Sequence, residues 1–324
     1  MSIRLNVTPR QIINHLIAFI AVAETRNFRR AAELIGRSQP SVTAHIGQLE
    51  ELLGVTLFTR TTRQVIPTAA GTMLLLRAKS VVNEAEKLVQ DFQGPAALKQ
   101  SRLSVSVSPT VCARLMPRFL GLFQAEHPNV LVSFREDMGP EMIEGLQIGK
   151  AEIGVGPYPQ VPDSLKFEPL IDQPFFLIMR RDHPLARSGH ASVADLEGLD
   201  LICPPRGMTA RDILDKAAQQ HGFSLHPKHE AAQFITLAGM VSLGLGMTVM
   251  PLSNRRMLEA FDLVALPFVD ADIYRQIGVL SRRDDALTPP AAAFKRLLFL
   301  TTGDEGELLE EGWHPLTSRN SVLS

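Results

Sequence analysis

Over the first fifty residues the apolar positions recur at helical spacing. Ile12, Ile13, Leu16, Phe19, Ile20 and Ala23 form one such series behind Thr8 and Pro9, a cap followed by a first-turn proline, and predict a helix over about 9–25. Asn27 caps a short second helix through Ala31, Ala32, Leu34 and Ile35, which Gly36 ends. Ser38 caps a third, with Pro40 tolerated in its first turn and Val42, Ile46, Leu49, Leu52 and Leu53 on its inner face. Two short helices joined by a tight glycine-containing turn, the second opening with small polar residues, define a helix-turn-helix. Leu57-Phe58 and Val65-Ile66 around Arg60-Thr61-Thr62-Arg63 then predict a β-hairpin with a basic tip. Thr68 caps a long helix to about Phe92. Its positions Leu74, Ala78, Val81, Ala85, Leu88 and Phe92 step by alternating fours and threes, an a/d seam that predicts dimerisation, with packing on its own domain as the other reading.

From residue 101 the pattern alternates between strands and helices. Strands are predicted at 103–107, 130–134 and 153–155 around helices at 111–125 and 139–148, a β-α-β-α-β order that gives an open α/β sheet. A strand at 175–179, a capped helix from Thr209, a helix over 234–243 and a strand over 247–250 predict a second α/β lobe. The apolar run 277–280 and a helix over 290–300 return to the first lobe. The acidic, then polar, tail beyond Thr301 suggests no role.

The 324-residue length requires more than one domain. A content of 45% hydrophobic and 21% charged residues excludes wholesale disorder. A net charge of −1 argues at first against a nucleic-acid binder. Dividing the chain at Gly94-Pro95 reverses that inference: residues 1–93 hold 11 basic against 7 acidic residues, or +4, and the remainder 22 against 27, or −5. Cys112 and Cys203 have no metal-ligand spacing, and neither a signal peptide nor an 18-residue apolar stretch is apparent, so a cytoplasmic protein is expected.

Phe19, Ala23, Phe28, Ala31-Ala32, Leu34, Ser38-Gln39-Pro40-Ser41-Val42-Thr43, Ile46, Leu49-Glu50, Leu53-Gly54, Leu57-Phe58, Arg60, Arg63, Pro67-Thr68 and Ala70-Gly71 carry a resemblance to the LysR-type transcriptional regulators. Weaker echoes, including His127-Pro128, His183-Pro184-Leu185-Ala186 and Gly244-Leu245-Gly246-Met247, extend it over roughly 10–300. The resemblance implies a multidomain fold: an all-α winged helix-turn-helix domain over 1–67, a dimerising linker helix over 68–93, a bilobed α/β domain like a type 2 periplasmic binding protein over 94–300, and a tail over 301–324. It also implies a homotetramer that bends its promoter. Read from the residues themselves, Ser38, Gln39, Ser41 and Thr43 place short donors and acceptors at the start of a recognition helix, and Pro40 and His45 on the same helix are expected to complete the DNA-facing set. Arg29, Arg30, Arg60 and Arg63 hold phosphates on either side. Ala44 and Gly47 depart from the family's basic pattern on this helix.

Ligands of open α/β sheets sit at the carboxyl ends of strands. Ser108 and Thr110 occupy that place in the first lobe, and Pro205, Arg206 and Thr209 in the second, both segments running into helix N-termini. A small carboxylate effector is therefore expected there, with Phe234 and Met247 as apolar wall; the alternative is that Ser108 and Thr209 are only caps and Arg206 is solvated. Because peroxide-sensing relatives switch through a disulfide, redox sensing by Cys112 and Cys203 is a further alternative, as is a transport-type solute-binding protein. His226 and His229 lack further ligands, and Gly244-Leu245-Gly246 reads as a helix stop. No catalytic constellation, metal site or cofactor motif is found, and no enzyme activity or membrane association is expected.

Overall fold

The computed structural model describes residues 9–60, 65–92, 101–157, 160–251, 255–269, 273–302 and 314–315. The chain divides into two units, residues 1–100 with 144–150 and residues 101–143 with 151–324.

In the first unit α1 (Pro9–Thr25), α2 (Phe28–Leu34) and α3 (Gln39–Leu53) are followed by β1 (Phe58–Arg60), β2 (Val65–Pro67) and α4 (Ala69–Phe92). Leu16, Phe19, Val22, Ala31, Val42, Ile46, Leu49, Leu57 and Phe58 form its core. Leu52 and Leu53, expected on the inner face of α3, are 37% and 44% exposed, because the last turn leads out of the core into the left-handed Gly54 stop. The expected α4 seam is also divided. Ala78 is buried and Leu74 packs beside it against the domain's own core, whereas Val81 and Leu88 face outward with Met73, Leu76 and Val89. Helix α4 covers α1 through its first turns and presents a separate apolar stripe further along. Phe92's side chain lies outside the described residues.

The second unit contains β3 (Ser101–Val107), α5 (Pro109–Glu126), β4 (Val130–Glu136), the start of α6 (Gly139–Gln147), whose residues from 144 onward count with the first unit, β5 (Ile153–Pro157) and β6 (Leu165–Arg180). It continues with β7 (Ile202–Cys203), α7 (Thr209–Gln220), β8 (His229–Glu230), α8 (Phe234–Ser242), β9 (Thr248–Pro251), α9 (Arg255–Ala260), β10 (Leu263–Pro267), β11 (Tyr274–Arg282), α10 (Pro289–Thr302) and β12 (His314–Pro315). Strand β3 pairs in parallel with β4 on one side and β5 on the other, and β11 joins β5 antiparallel. The sequence pattern placed a strand only over 175–179; β6 runs for 16 residues. Its first part pairs with β11 and its last residues pair with β9 and β10. One strand is therefore shared by two lobes, each with its own core: Val105, Phe119, Phe123 and Phe294 in the first, Leu177, Leu214, Leu237 and Val249 in the second. The chain crosses between lobes at Gln173–Phe175 and returns at Ile273–Arg275, where the Phe175 N–H donates to the Ile273 carbonyl at 2.8 Å. The tail adds β12 to the first-lobe edge of this crossing, His314 opposite Asp172. Among the described residues no helix is long and apolar enough to cross a membrane.

Candidate DNA interface and effector site

The two helices of the turn are fixed at their N-termini by side chains. Asn27 Oδ1 accepts from the Arg29 and Arg30 N–H groups at 2.9 and 3.1 Å, and Ser38 Oγ from the Ser41 N–H at 3.4 Å. These caps start α2 and α3 where Arg29, Arg30, Ser38, Gln39 and Pro40 are exposed. Ser41, Thr43 and His45 are half-buried, and Ala44 and Gly47 lie open on the same helix. His45 also reaches back to α1, with its Nδ1 2.9 Å from Nδ1 of buried His15. Desolvation and then the neighbouring His45 lower the His15 pKa. Sequence reasoning treated His45 only as a base reader; its partner lies thirty residues away, beyond the reach of any local spacing rule.

The wing is fastened to the recognition helix by a residue that the sequence analysis assigned no role. Glu50 Oε1 accepts from the Leu57 and Phe58 N–H groups at 2.7 and 3.3 Å, satisfying the backbone where β1 begins. Thr68 Oγ1 donates to the Thr56 carbonyl at 2.7 Å and accepts from the Gly71 N–H at 3.1 Å. A Cβ at Gly71 would lie 2.3 Å from the Leu57 carbonyl oxygen, so glycine is required for α4 to pack against the wing's base. Arg60 ends β1, and its side chain, like Arg63, lies outside the described residues.

In the second unit Ser108 is the N-cap residue of α5, yet its side chain makes no capping hydrogen bond. Its Oγ is buried without a hydrogen-bond partner, beside Gly156 at the end of β5, where a Cβ would lie 3.4 Å from that oxygen. Thr110 Oγ1 accepts from Arg275 Nη2 at 2.6 Å, and Arg275 Nε donates to Gln173 Oε1 at 2.8 Å. Gln173 is completely buried and Arg275 is 8% exposed. Burial pushes the Arg275 guanidinium down to about 9. Neither Gln173 nor Arg275 was singled out from sequence, because the contact spans 102 positions.

The second-lobe residues expected at the same site are arranged differently. Arg206 is exposed on the loop before α7, beside half-buried Pro205. Thr209 is the first residue of α7, whose cap position is Met208 with no side-chain bond. Phe234 and Met247 belong to two distinct hydrophobic clusters. Buried Arg211, in the first turn of α7, is held by Asp215 at 2.9 Å, Glu230 at 3.0 Å and the Pro204 carbonyl at 3.2 Å. Both cysteines are buried, each in the core of a different lobe. Desolvation pushes both thiols up to about 11, aided by Glu136 at Cys112 and only partly opposed by Arg211 at Cys203.

A helix-turn-helix with a small wing, followed by a two-lobed α/β unit with a polar crossing between its lobes, defines a ligand-responsive DNA-binding protein as a class. Residues 13–72 match the bacterial regulatory helix-turn-helix proteins of the lysR family, and residues 96–299 match the LysR substrate binding domain. The chain belongs to the LysR family of bacterial transcriptional regulators. It is 29% identical over 297 residues to an uncharacterized HTH-type transcriptional regulator, YbhD, of Escherichia coli strain K12, covering 91% of this chain and 94% of that one. To a hydrogen peroxide-inducible genes activator of Pectobacterium carotovorum it is 30% identical, covering 83% and 90%. Among solved structures, full-length CbnR complexed with its target DNA shares the fold, with a TM-score of 0.63 at 24% identity over 88% of this chain and 98% of that one.

Proposed function

We propose that this protein is a cytoplasmic regulator that reads promoter DNA through α3 and changes its promoter affinity when a small effector binds in the second unit. The observation that carries the reading is the exposed start of α3: Ser38 and Asn27 are spent on caps, while Gln39 and Pro40 at the start of α3 are exposed, as are Arg29 and Arg30 on α2. In this reading Gln39, Ser41 and Thr43 meet base edges in the major groove. Ser38 sets the helix start, and His45 orients the helix against α1. Arg29 and Arg30, with Arg60 and Arg63 on the wing, hold phosphates. The outward stripe of α4 pairs two chains within the 68–93 segment, and two such dimers form a homotetramer. The domain bounds 1–67, 68–93, 94–300 and 301–324 follow the same division of labour. The effector lies against Ser108 and Thr110, and Pro205, Arg206, Thr209, Phe234 and Met247 close around it from the second lobe.

Footprinting at the gene's own upstream region tests the reading. A protected, sequence-specific pair of half-sites is expected, with affinity falling steeply in salt. Replacing Arg29 and Arg30 together by alanine should reduce the slope of log affinity against log salt by about 2, roughly 0.9 per lost phosphate contact. Gln39→Ala should relax sequence preference while leaving that slope unchanged. Protection without sequence preference, or affinity indifferent to salt, would overturn the reading.

A redox-responsive reading is favoured by the similarity to the peroxide-inducible activator. It is opposed by the two thiols themselves, which are buried in separate cores and held almost wholly protonated at neutral pH.

A further inference from the structure

The chain continues past residue 299, where the match to the LysR substrate binding domain ends, and there adds one more strand to the sheet. Strand β12 pairs antiparallel with β6, His314 opposite Asp172 and Pro315 opposite Ile171. Strand β11 pairs with the same two residues of β6, through Gln276 and Ile277. The two partners therefore take opposite edges of β6, and among the described residues β12 is the one strand on its edge over 165–174. An open strand edge is a template for further pairing unless something blocks it. Over 166–169 it is blocked by the charges of Lys166 and Glu168, by the exposed Pro169, and by a slip in the β6–β11 register between Pro169 and Ile171. At 170–172 these guards give way to buried residues directly before the crossing between the lobes, and β12 sits there. Pro315 has no N–H with which to extend the ladder, so the added pairing stays short. Two residues of pairing bind weakly between separate molecules, but a segment tethered to α10 through residues 303–313 meets the edge at the high effective concentration of one chain.

We propose that the edge of β6 at Ile171 and Asp172 is a docking surface for an extended peptide, and that its occupant is this chain's own segment around His314 and Pro315. Main-chain hydrogen bonds supply the attraction in strand addition of this kind. The docked segment acts as a strap. Strand β6 leaves the first lobe just beyond it, where the Phe175 N–H meets the Ile273 carbonyl of the returning chain. With β11 on one edge and β12 on the other, residues 171 and 172 are held from both sides, so a rearrangement of the lobes has to bend β6 beyond them. The strap confines that bend to the short crossing and stiffens it. It acts inside the second unit and does not depend on the promoter reading.

The test is amide hydrogen exchange on the full-length protein. In the unaltered protein the amides over 312–316 are expected to exchange more slowly than in the free synthetic peptide 303–324, and equally so at low and high protein concentration. That comparison needs no variant. Two altered proteins extend it: a chain ended after Thr302, and the full-length double change Trp313→Pro with His314→Pro, which together with Pro315 leaves no N–H over 313–315. Each should speed exchange over 170–175 by about tenfold and leave α7 as it was. Exchange over 312–316 as fast as in the free peptide, or unchanged exchange over 170–175 in both altered proteins, would overturn the proposal. So would protection that grows with protein concentration, which marks pairing with a second copy, or a loosening of α7 equal to that of β6, which marks loss of the fold rather than of a strap.

Discussion

His15 and His45 illustrate how a single side-chain pair connects the recognition helix to the scaffold. A 2.9 Å contact between two Nδ1 atoms needs a proton on one nitrogen and a lone pair on the other, so the pair is compatible with two neutral rings and opposed to two cations. The folded His15 pKa is lowered from 6.5, so the unfolded chain binds the extra proton more readily. Stability from this group is therefore present above pH 6.5 and is lost as the pH falls through the lowered folded value. Thermal unfolding should show Tm falling on acidification through that window, and His15→Gln should flatten the dependence; an unchanged acid slope would count against the pair. Arg275 is the contrasting residue. Burial lowers its guanidinium to about 9, still above neutral pH, so no change in its charge is expected over the window in which His15 loses its contribution.

Helix α4 shows where a one-dimensional repeat misleads. The alternating steps through Leu74, Ala78, Val81, Ala85 and Leu88 read as one seam, but an α-helix turns through 3.6 residues, and this one meets its own domain before it meets anything else. Ala78 is consumed by the core around Phe19 and Ile46, and Val81 and Leu88 are not. Substituting glutamate at Val81 and Leu88 together should leave the N-terminal fold intact by circular dichroism and shift sedimentation toward monomer. Ala78→Glu should instead lower Tm by several degrees, since burying an unpaired charge costs several kcal/mol as an order of magnitude. Equal effects from the two changes would rule out this division of the helix. Strand β6 makes the same point for the second unit: only its last part had a strand-like apolar run, and the polar residues 172–173 just before that run are where the two lobes meet.

For the whole molecule, charge and thiol chemistry sort by unit. The balance of +4 over residues 1–93 lies in the part that reads DNA, whereas of the −5 in the remainder residues 301–324 carry −4 and residues 94–300 only −1, so a near-neutral sum conceals a basic first part and an acidic tail. Because both thiols are buried and raised to about 11, the double change Cys112→Ser with Cys203→Ser should leave promoter affinity and its effector response unchanged. Micromolar peroxide should likewise leave the unaltered protein's footprint as it was. A peroxide-dependent footprint abolished by the double change would restore the redox reading.

The sequence by itself determined the helix-turn-helix with its caps at Asn27 and Ser38, the wing, the α/β alternation and the family, because these depend on contacts within a few residues and on periodicity, but it missed β7, β8, α9, β10, β12 and the first part of β6. Leu52 and Leu53 were misplaced because periodicity says which side a residue faces and not where the neighbouring helix ends. Only the tertiary structure joined Arg275 to Gln173 and Thr110 across 102 and 165 positions, paired His15 with His45, set Glu50 under the wing and left Arg206 in solvent. Those relations depend on which strands become neighbours and on which charges lose their water, and both are decided when the chain closes on itself.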